Sequence, residues 1–416
     1  MFLKRINSNL FLQILLLFSA LPSFIFFSPF SKSININLSA SLYIIFTLIR
    51  EVSIILIGSQ IILRFFQGIL KKKFSKKLII ILLPILSFLY SIFNDFEIIY
   101  FLVGLRFYIL SILPVLLLEG KIFVINRQII LNIDRISYFY LGLNLITLAE
   151  SFSSKFVAFG NYSTFLGQRF PFLYEDPIVA AMMFGSLALY YYFRIFYSRL
   201  SKEKIIFLLL IYLLLYFSLF TGGRAGLSII FLITIFSTIQ VLFPNFKTYF
   251  QNSKQKLNRI VALLILFVFA FFSIMIASID SISARPGLLK LINEEGIYSS
   301  RGSFLISTFN QRDKQKLFFG SPGVGTNTIV RYEENKEIIK PADSYITSSI
   351  LSFGIFGLIL VLMTLNIFLN LSFSPIMSIT FLVYAFSQSL PELIFPWILL
   401  VITLSLSSKM RMRGET

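Results

Sequence analysis

The sequence predicts an all-α fold, a polytopic membrane bundle, on three observations. Hydrophobic residues make up 57% of the 416 residues and charged residues 13%, with a mean hydropathy of +0.85, outside the balance of a soluble domain. The apolar residues fall in uninterrupted runs of about 20, the length a helix needs to cross the hydrocarbon core, and the short alternating segments of a membrane β-barrel are missing. One polar island, Asp280 to Asp343, breaks the succession. The expectation is a single membrane domain over 1–416 with 280–343 as a large external loop within it.

About twelve spans are expected, near 9–29, 42–68, 78–95, 97–119, 131–152, 176–197, 204–221, 225–243, 260–279, 345–370, 374–389 and 391–407. The first follows Met1-Phe-Leu-Lys-Arg5. Its apolar run is long for a signal-peptide core and no small-x-small cleavage site follows, so it reads as an uncleaved span.

Charge orients the bundle. With the N-terminus cytoplasmic, the even-numbered connections carry Lys71, Lys72, Lys73, Lys76 and Lys77, then Lys121, Arg127 and Arg135, then Arg199, Lys202 and Lys204, then Lys247, Lys254, Lys256 and Arg259. Lys409, Arg411 and Arg413 at the C-terminus fall on the same side. The short odd-numbered connections hold few cations, which is the positive-inside pattern. It accounts for most of the formal charge of +18 and the isoelectric point near 9.9, so the basic balance reads as topology and not as a nucleic-acid footprint. The N- and C-termini are then cytoplasmic and the island external.

Absence of His excludes an imidazole base, a His-ligated metal and a Ser-His-Asp triad; absence of Cys excludes disulfides and thiolate chemistry. No metal or cofactor is expected.

The island mixes near-balanced charge with Phe304, Leu305, Ile306, Phe309, Leu317 and Phe318, so it is expected to fold onto the bundle, with an amphipathic helix around 301–316. Gly320, Gly323 and Gly325 read as a turn rather than a phosphate cradle, since no Lys-Ser/Thr follows.

Several charges stand in unusual places. Arg106, in Gly104-Leu-Arg-Phe-Tyr108, lies near mid-span, where a cation implies a carboxylate partner, a polar cavity or an anionic substrate. Arg50-Glu51 also falls inside a span and reads as a self-compensating pair or, alternatively, a ligand contact. Arg224 sits in the short turn Thr221-Gly-Gly-Arg-Ala-Gly226, at the mouth of the bundle. Arg169, in Gly167-Gln-Arg-Phe-Pro171, precedes Tyr174-Glu-Asp-Pro177, where Asp176 suits a helix N-cap and a substrate contact equally. Arg169, Arg224 and Arg301 on the outer side, with Arg106 below, make a candidate cationic site for a phosphorylated substrate, because guanidinium forks bind phosphate oxygens bidentately. Asp343 closes the island just before a helix carrying Gly354-Ile-Phe-Gly357. It fits both a general base for a sugar hydroxyl and a helix cap.

The order of these elements resembles the Wzy-type O-antigen polymerases and the related O-antigen ligases. The resemblance rests on Gly-Leu-Arg-Phe-Tyr around Arg106, Arg169 followed by Glu-Asp-Pro, Gly-Gly-Arg-Ala-Gly around Arg224, Ser-Ser-Arg-Gly-Ser around Arg301, the Phe-Gly-x-x-Gly-x-Gly turn, and Asp343-Ser-Tyr-Ile before Gly-Ile-Phe-Gly. It covers roughly residues 100 to 360 in family order, each element being short and degenerate. It implies a GT-C-like, metal-independent glycosyltransferase that joins undecaprenyl-diphosphate-linked oligosaccharide repeat units at the outer face of the bacterial cytoplasmic membrane. A hydroxyl of one lipid-linked unit attacks the anomeric carbon of the chain on another, and undecaprenyl diphosphate leaves. By the same resemblance Arg224 and Arg301 bind the diphosphate and stabilise its developing charge, Asp343 stands in the base position, and Arg106, Arg169, Asp176 and Tyr345 belong to substrate binding. A chain-length regulator is an open partner, and membrane lipid surrounds the whole. The ligases carry a His near the position of Asp343; this chain has none, which favours polymerase over ligase and leaves the base role of Asp343 in question. A lipid-linked oligosaccharide flippase is the main rival, although no internal repeat is visible. A non-catalytic scaffold would leave Arg106 and the outer arginines unexplained.

Overall fold

The computed structural model describes residues 8–19, 36–70, 82–94, 96–119, 127–153, 163–164, 167–168, 172, 177–198, 200–221, 223–242, 314–324, 326, 344–372 and 374–412. The expected span 260–279 and most of the island lie outside them. The helices are α1 (Ser8–Phe18), α2 (Ile36–Leu70), α3 (Ile85–Asn94), α4 (Ile98–Glu119), α5 (Arg127–Ser153), α6 (Pro177–Tyr197), α7 (Ser201–Thr221), α8 (Arg224–Leu242), α9 (Lys314–Phe319), α10 (Tyr345–Leu371), α11 (Pro375–Ser387) and α12 (Ile394–Met412). The exception to the all-α expectation is a small antiparallel ladder of β1 (Ser163–Thr164) and β2 (Gly167–Gln168).

Among the described residues, six helical segments are long and apolar enough to cross a membrane, those within α2, α5, α6, α7, α8 and α10, the last only with both sides of its bend at Gly354 counted together. Helix α6 is the centre, with 83% of its apolar stretch buried, whereas α2 buries only 22% and turns the rest outward. Small residues let neighbours approach α6 closely. A β-carbon on Gly226 of α8 would collide with the backbone of Ala181, and one on Gly185 would meet the Tyr384 ring of α11.

Helix α4 continues through Pro114. Proline has no N–H for the carbonyl four residues back, that of Leu110. The indole Nε1–H of Trp397, the single Trp of the chain, donates to this oxygen at 2.7 Å, so α12 supplies the bond that α4 lacks. In an apolar interior an unmet carbonyl is costly, which is how proline becomes tolerable there.

Helix α10 is not one rod. Gly354 takes φ 60° and ψ −139°, outside the helical region. Its two arms, 345–353 and 355–371, fold back on each other: a β-carbon on Gly357 would strike the carbonyl of Ser349, and Tyr345 lies beside Thr364. In a straight helix Tyr345 and Thr364 would be roughly 28 Å apart at 1.5 Å per residue. The sequence-based expectation of one span over 345–370 is therefore corrected to a short arm joined to a longer one.

Carbonyls near the bend find donors on other elements. The N–H of Ser321 donates to Leu351 O at 2.9 Å, and Ser87 Oγ to Phe353 O at 3.3 Å. In return Ser352 Oγ donates to Val324 O at 3.0 Å. The glycine segment is thus a turn, as expected, wedged between α4 and the tip of α10. Gly320 and Gly323 adopt positive φ of 75° and 82°, and a β-carbon on Gly104 would stand 2.7 Å from Gly323 N. Only side-chain-free positions permit so close an approach of three backbones. The amphipathic helix expected around 301–316 meets the described residues only at its end, where α9 begins at Lys314.

Candidate functional site

Arg106 lies eight residues into α4, about 12 Å along the axis. Its Nε stands 2.9 Å from Glu51 Oε2 on α2. The other oxygen of Glu51 accepts from Arg50 Nε at 3.0 Å and Nη2 at 2.8 Å. The adjacent pair on α2 is thus self-compensating and also supplies Arg106 with a carboxylate partner, one of the three alternatives that its mid-span position implied. The side chains keep 19% (Arg50, Arg106) and 30% (Glu51) of their surface. The cluster is therefore part-buried between α2 and α4.

Tyr345 sits next to the same stretch of α4 and is fully buried. Its ring packs edge-on against Phe107 at 6.2 Å between centroids, with Phe381 at 6.4 Å and Trp397 at 5.8 Å. Its hydroxyl lies among those of Ser111, Ser349 and Thr364. Yet among the described residues the hydroxyls of Tyr345, Ser111 and Ser349 meet no partner in hydrogen-bond geometry. Tyr345 anchors the short arm of α10 in the interior.

Asp343 itself is outside the described residues, but its neighbour is informative. Ser344 is the N-cap of α10, its Oγ accepting from Thr347 N at 3.1 Å. The cap that competed with a chemical role for Asp343 is therefore made by the next residue.

Arg224 is the first residue of α8, placed by a turn of the expected brevity in which Thr221 Oγ1 accepts from Gly223 N at 3.2 Å. The contact of Gly226 with Ala181 brings this turn to the same end of the bundle as the start of α6. Helix α6 begins at Pro177, as the sequence indicated, so the first residues of α6 and α8 lie at the same end of the bundle. The side chains of Arg224 and Asp176 are outside the described residues. So are Arg169, which directly follows β2, and Arg301.

One buried ionic cluster escaped the sequence reading. Asp134 of α5, 6% exposed, accepts from Tyr190 Oη at 2.7 Å and from Arg194 Nη2 at 3.0 Å on α6. The Arg194 guanidinium also lies 5.1 Å over the Phe207 ring of α7. The signal was an acid in one apolar run and a base in another. Their distance in sequence hid the pairing.

Among the described residues, no group of three His, Cys, Asp or Glu side chains is placed to hold a metal ion. No family model, curated protein or solved structure matches this chain.

Proposed function

We propose that the chain is a polysaccharide polymerase of the bacterial cytoplasmic membrane, joining undecaprenyl-diphosphate-linked oligosaccharide repeat units at the outer face. Both termini are cytoplasmic in this reading, and 280–343 forms the external loop. The observation that carries it is the Arg50–Glu51–Arg106 cluster set among apolar helices, since ionisable groups within a membrane bundle are costly and mark substrate paths. The order of Arg106, Arg169, Arg224, Arg301 and Asp343 along the chain supplies the rest. Arg224 and Arg301 hold the departing diphosphate, Asp343 takes the proton of the attacking hydroxyl, and no metal takes part.

A second reading, a transporter of lipid-linked oligosaccharide, is favoured by the interrupted α10, because broken helices are frequent in transporters. Glycan ladders from reconstituted vesicles separate the two. Arg224→Ala, Arg301→Ala and Asp343→Asn are expected to lose long chains while keeping single-repeat product and normal membrane abundance. Loss of the single-repeat product as well would point to transport or ligation and overturn the polymerase.

A further inference from the structure

A cleft of about 530 Å³ opens between the α3–α4 turn on one side and α9 with the glycine turn on the other. Glu97 and Lys316 contribute charge from its two walls, Tyr90, Phe96 and Tyr100 contribute rings, and Ser91 and Ser321 contribute hydroxyls. The walls are fixed. Tyr90 stacks on Phe319 at 4.7 Å with planes 9° apart and pairs with Gln315 at 3.4 Å, which ties α3 to α9. Gly323 lies directly on the backbone of Tyr100. By contrast, the exposed Glu97 carboxylate has no ionic or hydrogen-bonding partner among the described residues, and Phe96, whose ring meets Phe101 at 5.7 Å, keeps 53% of its surface exposed.

We propose that this cleft is a saccharide-binding subsite, with Glu97 and Lys316 holding sugar hydroxyls and Phe96 and Tyr100 offering aromatic faces to the apolar C–H side of a ring. Assignment of the ligand as a saccharide rests on the polymerase reading. Volume and lining both fit a small polar ligand, since such sites occupy roughly 300–1,000 Å³ and combine aromatic walls with a few placed polar groups. The Ser321 hydroxyl can donate and accept, and the Tyr90 hydroxyl, which donates to Gln315, can still accept, which suits a polyol. A lipid phosphate is the poorer guest, because phosphate is best held by convergent cations or guanidinium forks and, among the described residues, the lining supplies one Lys beside a carboxylate. Neither Glu97 nor Lys316 belongs to the groups assigned to bond making, so the cleft would position the glycan and not activate it.

The test uses the full chain in nanodiscs and, as probe, the water-soluble oligosaccharide freed by mild acid from the isoprenoid-linked pool of the source cells. Saturable binding is expected, weakened about tenfold or more by Glu97→Gln and by Lys316→Met, the loss typical of one charge-assisted hydrogen bond. Phe96→Leu should weaken it less. Equal affinity in all variants, absence of binding, or binding displaced by phosphatidylethanolamine in place of phosphatidylcholine would each overturn the proposal, the last by identifying a head-group site. Ladder assays on the same preparations separate this from the polymerase reading. Probe binding without polymer would sink the polymerase alone, whereas polymer formed with an unchanged apparent KM in Glu97→Gln would sink the subsite alone.

Discussion

The indole N–H of Trp397 takes the place of the backbone N–H that Pro114 lacks, donating to Leu110 O across the boundary between α12 and α4. Replacing Trp397 by Phe keeps an aromatic ring and orphans a buried carbonyl, a change of about 1–3 kcal/mol. Thermal unfolding in detergent should show this cost in the native background and a clearly smaller one in Pro114→Ala, where the helix regains its own donor. Equal costs in both backgrounds would show that ring packing, and not the hydrogen bond, sets the effect.

Glu51 joins two guanidinium groups on different helices. Glu51→Ala should destabilise the protein more than Arg106→Ala, because it strips the carboxylate from both arginines at once. In a double-mutant cycle the pair should couple by about 0.5–3 kcal/mol. A coupling near zero would mean that solvent already screens the contact.

Gly354 leaves no room for a side chain. A β-carbon there would overlap the Phe318 carbonyl, and the backbone φ of 60° is strained for any other residue. Gly354→Ala should therefore reduce folded protein in membranes sharply, while Leu362→Ala on the outward side of the same helix, 54% exposed, should be tolerated. Similar losses for both would count against the bent geometry.

Capping and chemistry can be separated at adjacent positions. Ser344→Ala removes the side-chain acceptor of the α10 N-terminus and should cost about 1 kcal/mol of stability. Asp343→Asn should leave the melting temperature unchanged and, on the polymerase reading, still abolish long glycans. A fall in melting temperature for Asp343→Asn that matches Ser344→Ala would return Asp343 to a structural role.

The two halves of the Asp134–Arg194 pair should not be equivalent to their joint removal. Asp134→Ala strands the Arg194 guanidinium, while the Tyr190 hydroxyl keeps the Ile130 carbonyl at 3.3 Å, and should cost several kcal/mol, about 3–5 at the upper end for a buried pair. Asp134→Leu with Arg194→Met should recover much of that loss in the same unfolding assay. No recovery would point to a further role for the charge.

Much of the helical layout was legible in the sequence because apolar runs of bilayer length are bounded by sharp changes in polarity. The expected 97–119 and 225–243 correspond to Ile98–Glu119 and Arg224–Leu242. The fold-back of α10 was not legible. Residues 345–370 read as one uninterrupted apolar run, and nothing in the composition around Gly354 distinguishes a bend from a close helix contact. Ion pairs between helices were equally hidden, since Glu51 and Arg106, or Asp134 and Arg194, belong to different runs and only packing reveals their partnership. Of the candidate site, the need of Arg106 for a carboxylate, a polar cavity or an anionic ligand could be read from its surroundings in the sequence. That Glu51 would meet it, and that Ser344 rather than Asp343 would cap α10, depended on side-chain geometry.

The spacing of these contacts along the chain also dictates an order of birth. Glu51 and Arg106 both lie in the first third of the chain, so their charges can neutralise each other while later segments are still on the ribosome. The glycine wedge must wait: Ser87 cannot reach Phe353, nor Trp397 reach Leu110, until nearly the whole polypeptide has been threaded into the bilayer. A nascent chain halted before residue 320 would hold its first helices with the gap beside Gly104 unfilled and the carbonyl of Leu110 still waiting for its donor, a state that insertion and quality-control machinery can distinguish from the finished protein.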